Sequence, residues 1–140
     1  MRCFTLASNA VMSSGSSTTC AGVTLTQYCR GAPADGCNFE PVISVEKVGP
    51  TDALVRIHFS PINPSDINVL EGTYVHLPPA LPAVPGNEGS GIVEEIGDEV
   101  SGVAVGDRVI ARSWGGAWRE QVVLPAANLR PLPANVDLRK

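Results

Sequence analysis

The chain has 140 residues, 44% of them hydrophobic and 17% charged, with a formal net charge of −4. That length has room for one domain with a core and little else, and the acidic balance leaves no footprint for a nucleic-acid backbone. No apolar run is long enough to cross a bilayer as a helix.

Residues 1–21 are rich in Ser, Thr and Ala, and the first acidic residue is Asp35. Hydroxyl-rich, acid-poor composition is that of a transit segment, yet only Arg2 and Arg30 are basic before that point. The stretch reads as a disordered tail or a weak organelle address, and residues 22–138 as the domain proper. All four cysteines (Cys3, Cys20, Cys29, Cys37) lie near this end. Their spacings match neither a Cys-x-x-Cys redox pair nor a zinc knuckle, so free thiols are expected. Charge is uneven along the chain. Residues 101–140 hold six basic and three acidic side chains, a net of +3 against the total of −4, which leaves −7 for the first hundred. The gradient suits either an ordinary solvated face or attraction of an acidic partner such as an acyl carrier protein.

From Gly22 onward, short apolar alternations are broken by Gly and Pro, which is strand grammar. Residues 23–28 form a first candidate strand, and a turn-rich stretch runs from Gly31 to Asn38. Residues 42–48 and 53–59 each place aliphatics on one face, with Gly49-Pro50-Thr51-Asp52 as the turn between them. Further strands are expected at 91–96, 108–111 and 118–124. One helix is expected after Ser60: Asn63 caps it, Pro64 takes the first position and Asp66 lies near the positive end of the dipole. Gly72 stops it, giving about two turns with Ile67 and Leu70 inward. Six prolines then crowd the 25 residues around Tyr74 and restrict that loop before it folds. Many short strands with Gly/Pro turns predict a mainly β, partly open barrel with one or two short helices.

Three segments carry functional wording. Ser60-Pro61-Ile62-Asn63-Pro64-Ser65-Asp66-Ile67-Asn68 leads to Glu71-Gly72-Thr73-Tyr74; then come Leu81-Pro82-Ala83-Val84-Pro85-Gly86-Asn87-Glu88-Gly89-Ser90-Gly91 and Gly106-Asp107-Arg108-Val109. In that order they resemble the GroES-like catalytic half of the medium-chain dehydrogenase/reductase superfamily over roughly residues 50–138. The Asn-Pro-Ser-Asp and Gly-Thr-Tyr wording is most similar to its zinc-free mitochondrial trans-2-enoyl thioester (enoyl-[acyl-carrier-protein]) reductases. The resemblance implies a GroES-like barrel, reduction of enoyl thioesters on acyl carrier protein or coenzyme A, and a homodimer for the complete enzyme. It also implies NADPH held mainly by a Rossmann domain expected beyond this chain, and a mitochondrial location with the cytoplasm as alternative.

Tyr74 is the leading catalytic candidate. A phenol is protonated at neutral pH, so it can donate to the oxygen where enolate charge develops, or deliver a proton to the α-carbon. The resemblance assigns that role to the tyrosine of the Gly72-Thr73-Tyr74 step; packing is the alternative account of any tyrosine. Asn63, Asp66, Asn87 and Trp118 are candidates for the wall of the substrate or cofactor cleft. Helix capping explains Asn63 and Asp66 equally well, a turn explains Asn87, and core packing explains Trp118 and Trp114. No metal is expected, because zinc relatives carry Cys and His where this chain has Asn63 and Asn87, and an amide is a poor zinc ligand. His58 reads as a surface or internally bonded histidine. Gly86, Gly89 and Gly91 have the wrong spacing for a dinucleotide turn and serve close packing instead. Two other functions compete: a zinc-free quinone or enone reductase, and a β-barrel binding module without catalysis.

Overall fold

The computed structural model describes residues 4–5, 18–113 and 116–138; Trp114 falls outside them. Along the chain these residues form β1 (Phe4–Thr5), β2 (Thr19–Leu25), a 3-10 turn at Pro33–Gly36, β3 (Cys37–Ser44), β4 (Asp52–Ser60) and α1 (Pro64–Leu70). They continue through β5 (Glu88–Ile96), β6 (Arg108–Arg112), β7 (Gln121–Pro125), a second 3-10 turn at Ala126–Asn128 and β8 (Leu129–Pro131). One six-stranded sheet runs β1-β4-β5-β6-β8, with β7 also on β4, while β2 and β3 make a separate hairpin. Every one of these pairings is antiparallel. This is the mainly β, partly open architecture expected of the sequence, with a single α-helix among the described residues.

The sheet closes around the alternation seen in β4. Ala53, Val55 and Ile57 are buried and meet Val93 of β5, Val109 and Ala111 of β6, Val122 and Leu124 of β7 and Leu129 of β8. Period-two patterning puts these side chains on one face of the pleat, and their removal from water supplies the main stabilisation. The opposite face carries polar cross-strand contacts. There Glu94 accepts from Arg56 Nε at 2.5 Å and from Gln121 Nε2 at 2.6 Å, linking three neighbouring strands. Gly91 is needed on β5, because a Cβ there would overlap the Arg56 carbonyl of β4.

Several boundaries differ from the sequence reading. The first strand starts at Thr19, ends at Leu25 and buries Cys20, so three residues counted with the tail belong to β2. Apart from Phe4–Thr5, which pair with Phe59 and Ser60, the rest of residues 1–17 lies outside the described residues. The strand expected at 42–48 is β3 at Cys37–Ser44, because β2 pairs with that stretch in register from Leu25↔Cys37 to Thr19↔Ser44. Pairing overrides the Asn and Pro content that marked it as turn. The strand expected at 118–124 begins at Gln121, with Arg119 making only an isolated bridge to Gly22. Cys20, Cys29 and Cys37 are free thiols, and burial pushes the Cys20 and Cys37 thiols above their ordinary range.

Candidate functional site

Helix α1 forms where the sequence placed it, because both of its ends are chemically closed. At the start, Asp66 Oδ2 accepts the Asn63 backbone N–H at 2.7 Å, the carboxylate half of a capping box. At the end, Gly72 adopts φ +71 and donates to Val69 O at 3.0 Å, while Thr73 N–H donates to Asn68 O at 2.9 Å. That is a Schellman stop. Glycine is required there twice over, since a Cβ would also meet the Tyr28 ring at 2.9 Å. Val69 and Leu70 face inward onto Leu25, whereas Ile67 is only half-buried.

Asp66 does more than cap. It is 1% exposed, and its Oδ1 accepts the backbone N–H of Asn87 at 3.0 Å, so one carboxylate joins the helix start to the glycine-rich turn 21 residues later. Burial pushes its carboxyl above the ordinary range, opposed by those two backbone amides; Glu88 adds a further upward push. Asn63 Nδ2 donates to Glu88 Oε1 at 2.8 Å, and Asn87 Nδ2 donates to Ser65 Oγ at 3.3 Å. Asn63, Asp66 and Asn87 are thus one cluster, and they spend their side chains on backbone amides and on Ser65 and Glu88. Glu88 was missed from sequence; a carboxylate beginning a strand beside a Gly-Asn turn was the available signal.

Trp118 stands at the other side of this turn. Its Nε1 donates to Pro61 O at 3.2 Å, and its ring lies so close to Gly86 that a Cβ there would overlap the indole. Gly86 adopts φ +95, so the glycine spacing serves a sharp turn and close aromatic packing, as expected.

Tyr74 follows the Schellman turn directly, with its backbone N–H on Asn68 O at 3.2 Å. Its ring is half-buried against the Leu25, Val69 and Leu70 cluster and meets His76 edge-on, with centroids 6.3 Å apart. Among the described residues, no hydrogen-bond partner engages its hydroxyl.

A cleft of about 530 Å³ opens beside Leu70, between the β2–β3 hairpin and β4 with α1. Val23, Ile57, Ile67, Leu70, Ala117 and Trp118 supply much of its wall, and Tyr74 is not part of it. Of the candidate residues, therefore, Trp118 alone faces this cleft.

The comparisons with known proteins bear on this geometry. Residues 49–134 match the alcohol dehydrogenase GroES-like domain family. The chain belongs to that family. The GroES-like domain is 42% identical over 98 residues to the mitochondrial enoyl-[acyl-carrier-protein] reductase of Bos taurus, covering 69% of this chain and 26% of the relative. It superposes on a solved structure named as a putative NADPH:quinone reductase from Bacillus thuringiensis, with a TM-score of 0.76 at 34% identity, covering 88% of this chain and 36% of that one. A mitochondrial 2-enoyl thioester reductase heterodimer from Candida tropicalis superposes with a TM-score of 0.69 at 32% identity, covering 83% and 34%. The chain spans about a quarter of the length of the curated relative and about a third of the solved ones. Membership makes this domain part of an oxidoreductase lineage, and the enoyl reductases align with it over their GroES-like part, as the three motifs imply.

Among the described residues, neither the start of α1 nor the glycine-rich turn offers open backbone N–H groups to a diphosphate. The start of α1 already holds the Asp66 carboxylate, and Gly86, Gly89 and Gly91 are filled by Trp118, Ser60 and the β4 backbone. An anion at that helix start would meet a negative charge rather than open N–H groups. Among the described residues no three His, Cys, Asp or Glu side chains converge as a metal-ligand set.

Proposed function

We propose that this GroES-like domain is the catalytic domain of a zinc-free, NADPH-dependent reductase of trans-2-enoyl thioesters, carried on acyl carrier protein or coenzyme A, in mitochondrial fatty acid synthesis. The reading gives Tyr74 the role of proton donor. The observation that carries it is the placement of Tyr74: a half-exposed phenol fixed at a glycine stop, on a proline-stiffened loop, with its hydroxyl uncommitted within the described residues. The 42% identity to the Bos taurus enoyl reductase supports the choice of substrate class.

The reaction saturates the 2,3 double bond: hydride adds at the β-carbon, charge moves onto the thioester oxygen, and a proton adds at the α-carbon. Tyr74 contributes the hydrogen bond to that oxygen or the proton to that carbon. The Asn63–Asp66–Asn87–Glu88 cluster holds the two walls of the loop in register. Positioning of this kind is a large part of catalysis, since small displacements at a reacting centre are costly. The domain alone does not hold the nucleotide, so the purified 140-residue chain should not oxidise NADPH with crotonyl-coenzyme A.

The decisive test joins this domain to a nucleotide-binding domain from one of its enoyl reductase relatives. Tyr74→Phe should lower kcat for crotonyl-coenzyme A about 100–1,000-fold, the usual effect of losing one such donor. A second reading, a quinone or enone reductase, is favoured by the superposition on the Bacillus thuringiensis enzyme. It predicts that the same variant leaves quinone reduction intact. Undiminished enoyl reduction by Tyr74→Phe would end the proposal.

A further inference from the structure

The cleft beside Leu70 is built differently from a surface that merely awaits burial. Its wall contains five side chains with polar atoms, and four of them have a polar atom engaged by the protein itself. Cys37 Sγ lies 3.7 Å from Pro33 O, Asn38 Nδ2 donates to Thr26 Oγ1 at 3.2 Å, Ser60 Oγ donates to Ala117 O at 2.9 Å, and Trp118 Nε1 bonds Pro61 O. What faces the space is predominantly carbon. Among the described residues, His58 is the polar wall side chain for which no hydrogen-bond partner exists.

The backbone places it there. In a regular strand, consecutive residues point to opposite faces, so Ile57 and His58 could not both line one cleft. The β4–β5 register passes from Ile57↔Gly91 directly to Phe59↔Ser90, which makes His58 the extra residue of a β-bulge. A bulge re-aims a side chain, and this one brings the imidazole to the wall that already holds Ile57. Gly91 permits it by letting the β4 backbone approach more closely than a Cβ would allow.

We infer that this cleft is a binding site for a single-chain amphiphile, an alkyl chain ending in a carboxylate or thioester carbonyl, with the bulge-presented His58 imidazole donating to its polar end. The volume of about 530 Å³ lies in the range of small-molecule sites, which are apolar with a few placed polar groups. A carbonyl acceptor complements an imidazole N–H, and the internally engaged polar groups leave the rest of the wall suited to methylenes. Tyr74 is not among the residues that line this site, and its occupancy needs no reductant.

Calorimetric titration of the purified chain with decanoate, decanoyl-coenzyme A and decanol tests this. Decanoate should bind saturably at one site, and His58→Leu should weaken it about tenfold while leaving decanol within about twofold. His58→Gln, which keeps an N–H donor, should retain more decanoate affinity than His58→Leu. Ile67→Glu, at a half-exposed wall position, should abolish binding of all three, with circular dichroism checking that the fold persists. Tighter binding of decanoyl-coenzyme A than of decanoate would identify a thioester as the occupant, and the reverse a free acid. Absence of saturable binding, binding unchanged in Ile67→Glu, or His58→Leu weakening decanol as much as decanoate would each overturn the assignment. None of these outcomes depends on whether the completed enzyme reduces enoyl thioesters.

Discussion

The sheet and the helix region of this domain are held together by different means. In the sheet, nine buried side chains from five strands make one apolar cluster. Around α1 the buried apolar cluster is only Leu25, Val69 and Leu70. The deficit there is met by polar stitching: one Asp66 carboxylate on two backbone amides, and the Asn63–Glu88 and Asn87–Ser65 contacts. Apolar packing is tolerant of which residue supplies the volume. A buried carboxylate with two fixed donors is not, because removing it leaves polar groups unmatched in a dry place. The difference places geometry-specific bonding at the start of α1 and apolar packing in the sheet and beneath the Tyr74 ring.

The comparison can be broken at three positions. Leu124→Ala removes a 4%-exposed side chain from the sheet cluster and should cost about 2–5 kcal/mol in urea unfolding. A cost near zero would mean that the sheet cluster does not carry the fold. Asp66→Ala orphans two amides and should cost about 2–4 kcal/mol, although it removes no apolar contact. Asp66→Asn should cost less, about 1–2 kcal/mol, because its Nδ2 must face one of the two N–H donors. Exchanging Glu94 for Gln tests the outer face of the sheet, where the Arg56–Glu94 pair is partly solvated. Less than about 1 kcal/mol is expected, shrinking further in high salt.

Asp66 also sharpens the comparison through pH. Its folded carboxyl is held above the ordinary range, chiefly by burial, so the folded state binds that proton more tightly than the unfolded chain. Its contribution to stability is therefore fully present below the unfolded carboxylate value of about 4 and is lost as pH rises through the raised folded value. Chemical denaturation across that window should show wild-type stability falling relative to Asp66→Asn. Parallel curves for the two proteins would show that the carboxylate is not desolvated as described.

Much of the fold was legible because its signals are local. Asn63-Pro64-x-Asp66 and Gly72 bracket α1, and 53–59 alternate as β4 does. Other features depended on a partner. β3 was placed too late because Cys37-Asn38 reads as the end of a turn until β2 pairs with it, and β8, three residues long, carries no period to detect. The capping roles of Asn63 and Asp66 could be read from spacing, yet the bonds that join them and Asn87 to Glu88 and Ser65 could not. His58 read as an ordinary strand histidine. Its neighbours Ile57 and Phe59 hint at a broken alternation, but only the register against Gly91 and Ser90 shows that it is the bulged residue.

Sequence by itself determined the mainly β class, the capped helix, the glycine stop before Tyr74 and the kinship written in three motifs. These rest on backbone preferences acting over a few residues, where neighbours along the chain supply the physics. Tertiary structure alone decided that Asp66 binds the turn at Asn87, that Gly86 makes room for the Trp118 ring and that a bulge turns His58 toward an apolar cleft. Each of those joins residues 21 or more apart, or depends on a strand's register, and no local pattern encodes which distant group will meet a side chain once the core closes.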